Sequence, residues 1–219
     1  MATSLKLNVL GRFEARLPSG ENVSLPTRKT ETLLTYLALA PGPHSRDHLT
    51  NFLWGDRREQ QARNSLRQAL NALKKLFKDI ETCPLHIDRM NVSLASQSIE
   101  IDAVKLEELI VEQTPQAAAQ ATKIYRGEFL EGVVVRDSNG EEWLAAERDR
   151  FRRLTTQALE TVLVFQLKSG ELDKAGESGE RLVNLDMLNE SAWRILMQVY
   201  AARGERNHAL MAYKRCSEF

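Results

Sequence analysis

Residues 45–78, SRDHLTNFLWGDRREQQARNSLRQALNALKKLFK, decide the fold of the first half of this chain. Four large apolar residues in this stretch lie 4, 3 and 4 positions apart: Leu66, Leu70, Leu73 and Phe77. This spacing places them on one stripe of an α-helix, so we predict an amphipathic helix over residues 59–78. Ahead of it, Ser45 is a suitable N-cap and Gly55 a suitable stop for a short helix over residues 46–54.

Alternating and then helical patterns precede these two helices. Apolar and polar residues alternate over residues 5–9 and 13–17, which is typical of half-buried strands, and a short strand is predicted over residues 23–25. The period then changes to that of a helix, which ends before Pro41. The chain is therefore expected to open with a small antiparallel sheet and a first helix.

A hairpin is predicted after the long helix. Residues 85–87 and 92–94 are strand-like and flank a turn at residues 88–91. The order of sheet, three helices and hairpin is the layout of a winged helix-turn-helix domain, whose recognition helix enters the major groove of DNA. We predict such a domain over residues 1–100.

The second half of the chain, residues 101–219, is patterned as helices. The triplet at residues 169–171 recurs in similar form at residues 203–205, and Ala175 recurs as Ala209, both at an offset of 34. A 34-residue helix-turn-helix period is that of TPR repeats. We therefore predict an all-α TPR-like domain, with the glycine of each triplet in a tight turn and both alanines closely packed. The predicted fold class is mainly α with small β-sheets.

Charge is distributed unevenly although its sum is zero. Residues 1–102 contain 14 basic and 11 acidic side chains, whereas residues 103–219 contain 16 and 19. Residues 57–78 contain seven basic side chains against one acid, Glu59. A local excess of positive charge suits a polyanion such as nucleic acid.

Several classes of protein are excluded by what the sequence lacks. No apolar run approaches the ~20 residues of a membrane span, and no signal-peptide pattern is visible. Cys83 and Cys216 are too few and too distant for a disulfide framework, so we expect a cytoplasmic protein with no membrane partner. The common catalytic and nucleotide-binding motifs are absent, so no catalytic residue and no cofactor are predicted. His44 and His48 lack the further ligands of a zinc site, and no metal is predicted.

The polar face of the long helix suits base recognition. Arginine can contact guanine bidentately, and asparagine or glutamine can contact adenine. We predict four base-contacting residues: Asn64, Arg67, Gln68 and Asn71. The alternative is an ordinary solvated helix face, but such faces mix charges of both signs to gain i,i+4 pairs.

Phosphate contacts are predicted for the polar and basic side chains around that face. The predicted residues are Thr27, Arg28, Lys29, Arg46, Arg57, Arg58, Arg63, Lys74 and Lys75. Arg28 and Lys29 begin the first helix, where the macrodipole disfavours cations. A phosphate bound there would explain their position. The alternative is that both residues lie in a loop and are simply solvated. Arg89 at the hairpin tip is predicted to contact the minor groove or the backbone.

Several short motifs in the sequence resemble those of a known family. The segments SRDHL at 45–49, LWGD at 53–56, ARNSL at 62–66 and LKKL at 73–76 are similar to the OmpR-type winged helix of the Streptomyces antibiotic regulatory protein (SARP) family. YRGEFL at 125–130 and the pairs EW at 142–143 and ER at 147–148 resemble its companion bacterial transcriptional activator domain. The resemblance implies binding to double-stranded promoter DNA, self-association as a head-to-tail pair on direct repeats, and contact with RNA polymerase.

Two other functions stay open on the sequence alone. One is a TPR-type protein-interaction adaptor, in which the winged helix serves protein contacts. The other is the N-terminal regulatory part of a larger sensor or enzyme, because the chain stops inside a predicted helix at residues 213–219. A short last helix is the alternative explanation of that ending.

Overall fold

The computed structural model describes residues 4–78, 83–95, 99–135 and 138–218. Contacts within the chain form two compact units: Met1–Lys105 with Arg126–Phe151, and Leu106–Tyr125 with Arg152–Phe219. The domain limits of 1–100 and 101–219 stay a prediction. No helix among the described residues is long and apolar enough to cross a membrane.

The first unit combines two small sheets with three complete helices. In chain order its elements are β1 (Leu5–Asn8), β2 (Glu14–Arg16), β3 (Asn22–Val23), α1 (Arg28–Leu39), β4 (His44–Ser45), α2 (Arg46–Trp54), α3 (Glu59–Leu76), β5 (Leu85–Ile87), β6 (Asn91–Leu94) and β7 (Ile99–Ile101). The first sheet has the order β3-β2-β1-β7, and β7 runs parallel to β1 with Leu5 opposite Ile99. The antiparallel part was predicted, whereas the parallel strand was not.

Side-chain caps mark the starts of α1 and α2. The Thr27 side chain accepts a hydrogen bond from the Thr30 backbone N–H at the start of α1, and Ser45 does the same for His48 at the start of α2. Gly55 is the C-cap of α2, as predicted. The predicted stripe of α3 is buried, with Phe77 as its C-cap, so α3 packs its apolar side against the core and leaves its polar side outward.

The hairpin β5–β6 is confirmed and joins a second sheet of order β4-β6-β5. His44 in β4 pairs with Val92 in β6, and the Arg46 backbone N–H donates to the Met90 carbonyl at 2.8 Å. Strand β4, which was not predicted, therefore holds the hairpin next to the N-terminus of α2.

A later segment, Arg126–Phe151, also belongs to the first unit. The ring of Trp143 lies 5.4 Å from Tyr36, 5.6 Å from Phe52 and 5.7 Å from Phe129, measured between centroids. Gly140 approaches so closely that a Cβ there would lie 2.5 Å from the Phe52 carbonyl oxygen. This aromatic contact attaches the segment to α1 and α2.

The helices after β7 are α4 (Asp102–Val111), α5 (Pro115–Ile124), α6 (Ser138–Lys168), α7 (Leu172–Leu185), α8 (Glu190–Ala202) and α9 (Arg206–Ser217). The core of the second unit is formed by apolar side chains of the last four of these helices, among them Leu163, Leu182, Trp193 and Ala212. The predicted final helix is α9, which ends at Ser217, and Phe219 lies outside the described residues.

The repeat predicted from the sequence is visible in the second unit. Gly170 and Gly204 have φ of +73° and +75° in the turns before α7 and α9, a left-handed conformation that favours glycine. Ala175 is fully buried, as predicted. The prediction for Ala209 is wrong, because it is only half-buried. Ala175 lies in the core shared with α6 and α8, whereas α9 is the last described helix and leaves one face exposed.

Candidate nucleic-acid interface

The outward face of α3 is rich in hydrogen-bond donors. Arg67, Gln68 and Asn71 are exposed and Asn64 is half-buried. Among the described residues none of these four side chains has a hydrogen-bond or ion-pair partner. All four predicted base-contacting side chains are therefore available to an external ligand.

Basic side chains flank this face at both ends of α3. Arg58 is the N-cap of the helix, and Lys74 and Lys75 lie in its last turn. All three are exposed and have no ion-pair partner within the described part of the chain. Because cations in the last turn also favour the helix dipole, the two lysines suit both helix stability and an anionic ligand.

Two other predicted phosphate contacts are engaged within the chain. Arg63 donates to Glu59 at 2.7 Å and lies 3.6 Å from Asp47, and Arg57 donates to the Ser65 hydroxyl at 2.9 Å. The Arg63 pairs are exposed, and exposed pairs are worth about 0–1 kcal/mol. A phosphate can therefore compete with them at little cost.

Three of the predicted arginines meet at one groove. A groove of about 350 Å³ is lined by Arg46 from the start of α2, Arg63 from α3 and Arg89 from the hairpin. Asp47 also lines it and is the one acid among its lining residues. Three guanidinium groups against one carboxylate give the groove a positive charge, which the separate sequence positions did not reveal.

The tip of the hairpin is held by Asp88. Its carboxylate accepts hydrogen bonds from the backbone N–H groups of Asn91 and Met90, which lower the pKa of Asp88 below its usual range. The Arg46 guanidinium donates to the Asp88 carbonyl at 3.5 Å. The turn presents Met90, which is 63% exposed and lines the groove. Met90 was not predicted as a contact. Its apolar side chain at a predicted turn was the signal in the sequence that could have indicated one.

The start of α1 is neutralised within the chain. Arg28 pairs with Glu31 at 2.9 Å, and Lys29 lies 3.4 Å from Asp56 and 6.0 Å from the ring of Trp54. The Thr27 hydroxyl serves the helix cap. These carboxylates explain two cations at a helix N-terminus without a bound phosphate, so phosphate contacts by Thr27, Arg28 and Lys29 rest on the sequence argument alone.

The histidines near this surface have structural partners. His48 Nε2 lies 3.0 Å from the Tyr36 hydroxyl, and His44 Nε2 lies 2.7 Å from the Ala40 carbonyl oxygen. Burial raises the pKa of the Tyr36 phenol. Across the part of the chain that the structure describes, no group of three or more His, Cys, Asp or Glu side chains is placed to hold a metal ion.

Comparison with known proteins adds a family and a fold. Residues 98–219 match the family model described as bacterial transcriptional activator domain. A solved structure of Mycobacterium tuberculosis EmbR in complex with a low-affinity phosphopeptide is similar, with a TM-score of 0.69 and 20% identity over 97% of this chain. This chain spans 58% of the length of that one. No curated protein matches. The family match agrees with the motifs noted in the sequence, and the predicted fold class is confirmed.

Proposed function

The chain belongs to the family of proteins with a bacterial transcriptional activator domain, and we propose that it is a sequence-specific DNA-binding activator. The observation that carries this proposal is the outward face of α3. Its four amide and guanidinium side chains, and the cations that flank them, have no hydrogen-bond or ion-pair partner among the residues that the structure describes. Amides and guanidinium groups are the side chains that read base edges in the major groove. An ordinary surface helix would carry acids on this face.

In this proposal, base reading belongs to residues 64–71 in the middle of α3. Asn64, Arg67, Gln68 and Asn71 are assigned to bases because their amide and guanidinium groups suit base edges when a recognition helix lies in the major groove. Lys74 and Lys75 in the last turn, together with Arg58 at its start, contact phosphates. Each neutralised phosphate releases counterions and adds to the affinity without adding specificity.

The arginine groove anchors the hairpin on the DNA backbone in the same proposal. Arg46 and Arg89 converge there with Arg63, and one phosphate can accept hydrogen bonds from more than one guanidinium group. Because Asp47 and Glu59 already pair with Arg63, Arg89 contributes more to DNA affinity than Arg63 does. Met90 beside it is suited to an apolar contact with the sugar edge of the groove.

Two further partners belong to the proposed activator. The protein binds direct repeats as a pair of copies, and the bound pair engages RNA polymerase. Family membership supports the polymerase contact, since activators of transcription act on the polymerase at a promoter. The paired binding is what the resemblance of the sequence motifs implies.

A selection experiment tests the proposal. The purified full chain is incubated with a random pool of duplex DNA, and bound sequences are amplified over several rounds and read. We expect one short motif, enriched in two copies with the same orientation. The double variant Gln68→Ala, Asn71→Ala should enrich no motif, whereas Lys168→Ala, which removes an exposed cation of the second unit, should enrich the same motif as the parent. Failure of the parent chain to enrich any motif would reject base reading and favour the adaptor function.

A further inference from the structure

The second unit contains a cleft that the proposed DNA contacts do not use. It has a volume of about 550 Å³ and is formed by α5, residues 159–166 of α6, and α7 with the residue before it. Sites for small molecules typically measure about 300–1,000 Å³. The cleft is therefore of the size that encloses a compact organic ligand.

The floor of this α5–α7 cleft is apolar. Leu159 and Val162 line it and are buried in the unit, while Phe165 beside them leaves 42% of its surface exposed. An aromatic ring exposed next to buried aliphatic side chains gains by covering with another apolar body. Val164, its neighbour on the outer side of α6, is exposed as well but does not line the cleft.

One polar atom of a lining residue lacks a hydrogen-bond donor. The side-chain oxygen Oε1 of Gln166 is buried, and no hydrogen-bond donor reaches it from the described residues. A buried acceptor without a partner is unfavourable and is rare in native structures. Gln166 is one of the residues that line the cleft, so a ligand N–H or O–H group could satisfy this acceptor once the side chain turns towards the ligand.

The rim of the cleft is positively charged on balance. Lys174 is paired with Glu171. The Arg181 guanidinium donates to the carbonyl of Tyr125, which fixes its orientation. Lys123 is exposed and has no ion-pair partner in the described ranges. With Glu177 as the remaining acid of the lining, two cations face one carboxylate, so an anionic group is favoured at the rim.

We propose that the α5–α7 cleft binds a small amphipathic acid. The ligand class has an apolar body of about two or three rings or a comparable chain, a hydrogen-bond donor, and one carboxylate or sulfonate group. The body covers Phe165, the donor binds Gln166 Oε1 after a rotation of that side chain, and the anion lies between Arg181 and Lys123. This site does not depend on DNA binding and is tested without it.

Two related fluorescent probes test the site on the full chain. 1-Anilinonaphthalene-8-sulfonate has an aromatic body, an N–H donor and a sulfonate, and N-phenyl-1-naphthylamine has the same body and donor without the charge. We expect saturable binding of one sulfonate probe per chain, about tenfold tighter than binding of the neutral probe. Lys123→Gln and Arg181→Gln should each remove most of that difference and leave the neutral probe unaffected. Lys123→Gln is the more informative of the two variants, because Arg181 also donates a hydrogen bond to the Tyr125 carbonyl and its replacement changes that contact as well.

Matched controls make the result decisive. Phe165→Ala should weaken both probes by about tenfold, whereas Val164→Ala and Arg194→Gln, which lie outside the cleft, should change neither. Circular dichroism melts establish that each variant is folded. Equal affinity of the native chain for the two probes, no saturable binding, or equal losses in Arg194→Gln and Lys123→Gln would each overturn the proposal.

Discussion

Replacing Arg67 by alanine should damage recognition of one DNA sequence, whereas replacing Lys74 should weaken binding to every sequence. Both side chains are exposed, and neither has a partner among the described residues. Seven residues separate them, so they point within about 20° of each other but lie about 10 Å apart along α3. The two variants therefore differ mainly in their position along the axis of α3. Arg67 lies in the part expected to reach bases, and Lys74 lies in the last turn.

The two expected losses differ in kind and size. A bidentate arginine-guanine contact is worth about 1–3 kcal/mol of discrimination, so Arg67→Ala should lower affinity for the selected motif by about 5- to 150-fold. Its affinity for scrambled DNA should fall far less. Lys74→Ala removes one phosphate contact, which lowers the salt slope by about one unit and costs the same factor on both DNAs.

Competition binding on motif and scrambled duplexes measures both variants, with Lys168→Ala as the control that should match the parent chain. The unfolding free energies of the three variants should agree within about 1 kcal/mol, because all three side chains lie on the surface and a cation in the last turn of a helix adds only a small dipole contribution. Equal losses on both DNAs for Arg67→Ala would show that the base-reading part of α3 has been assigned incorrectly.

Three further predictions concern stability. Gly140→Ala should lower the free energy of unfolding by about 1–3 kcal/mol in a urea titration, because the new Cβ would overlap the Phe52 carbonyl; unchanged stability would reject the close approach. Ala175→Leu should cost about 1–3 kcal/mol and Ala209→Leu clearly less, since only Ala175 is fully buried; equal losses would contradict the burial difference. Burial and the Glu180 hydrogen bond raise the pKa of Tyr200 from 10.0 to about 12. The protonated phenol therefore stabilises the fold fully below pH 10, and this stabilisation is lost as pH rises towards 12. Between pH 10 and 12 the free energy of unfolding should fall by about 1 kcal/mol less in Tyr200→Phe than in the parent chain, after solvent screening. Identical pH profiles of the two proteins would refute the prediction.

Local signals explain why much of the first unit was predictable. Ser45 starts α2 through a side-chain cap and Gly55 is its C-cap, and the stripe from Leu66 to Phe77 fixes which side of α3 is buried. These interactions act over a few residues, so a short stretch of sequence is enough to predict them. The same holds for the turn glycines before α7 and α9.

The features that were missed depend on distant partners. Strand β7 has three residues and pairs with β1 more than 90 positions away, and β4 has two. Such short strands carry too few alternating residues to be recognised from pattern alone. The contact of Trp143 with Tyr36 and Phe52 is likewise a matter of tertiary packing.

In the candidate site, too, features of a single helix were predicted, whereas contacts between different elements were not. Helical arithmetic assigned Arg67, Gln68 and Asn71 to the outward face because that face is a property of one helix. The pairing of Arg63 with Asp47 and the meeting of three arginines at one groove join α2, α3 and the hairpin. No spacing within a single element encodes them.

The salt dependence of DNA binding by the full chain tests the central claim most directly. About six neutralised phosphates give a slope of log affinity against log salt near −5, so affinity for the selected motif should fall by about 10³ between 50 and 200 mM salt. Scrambled DNA should show a similar slope at lower affinity, since the phosphate contacts are shared. An affinity that does not change with salt would contradict the assignment of α3 and the arginine groove to DNA.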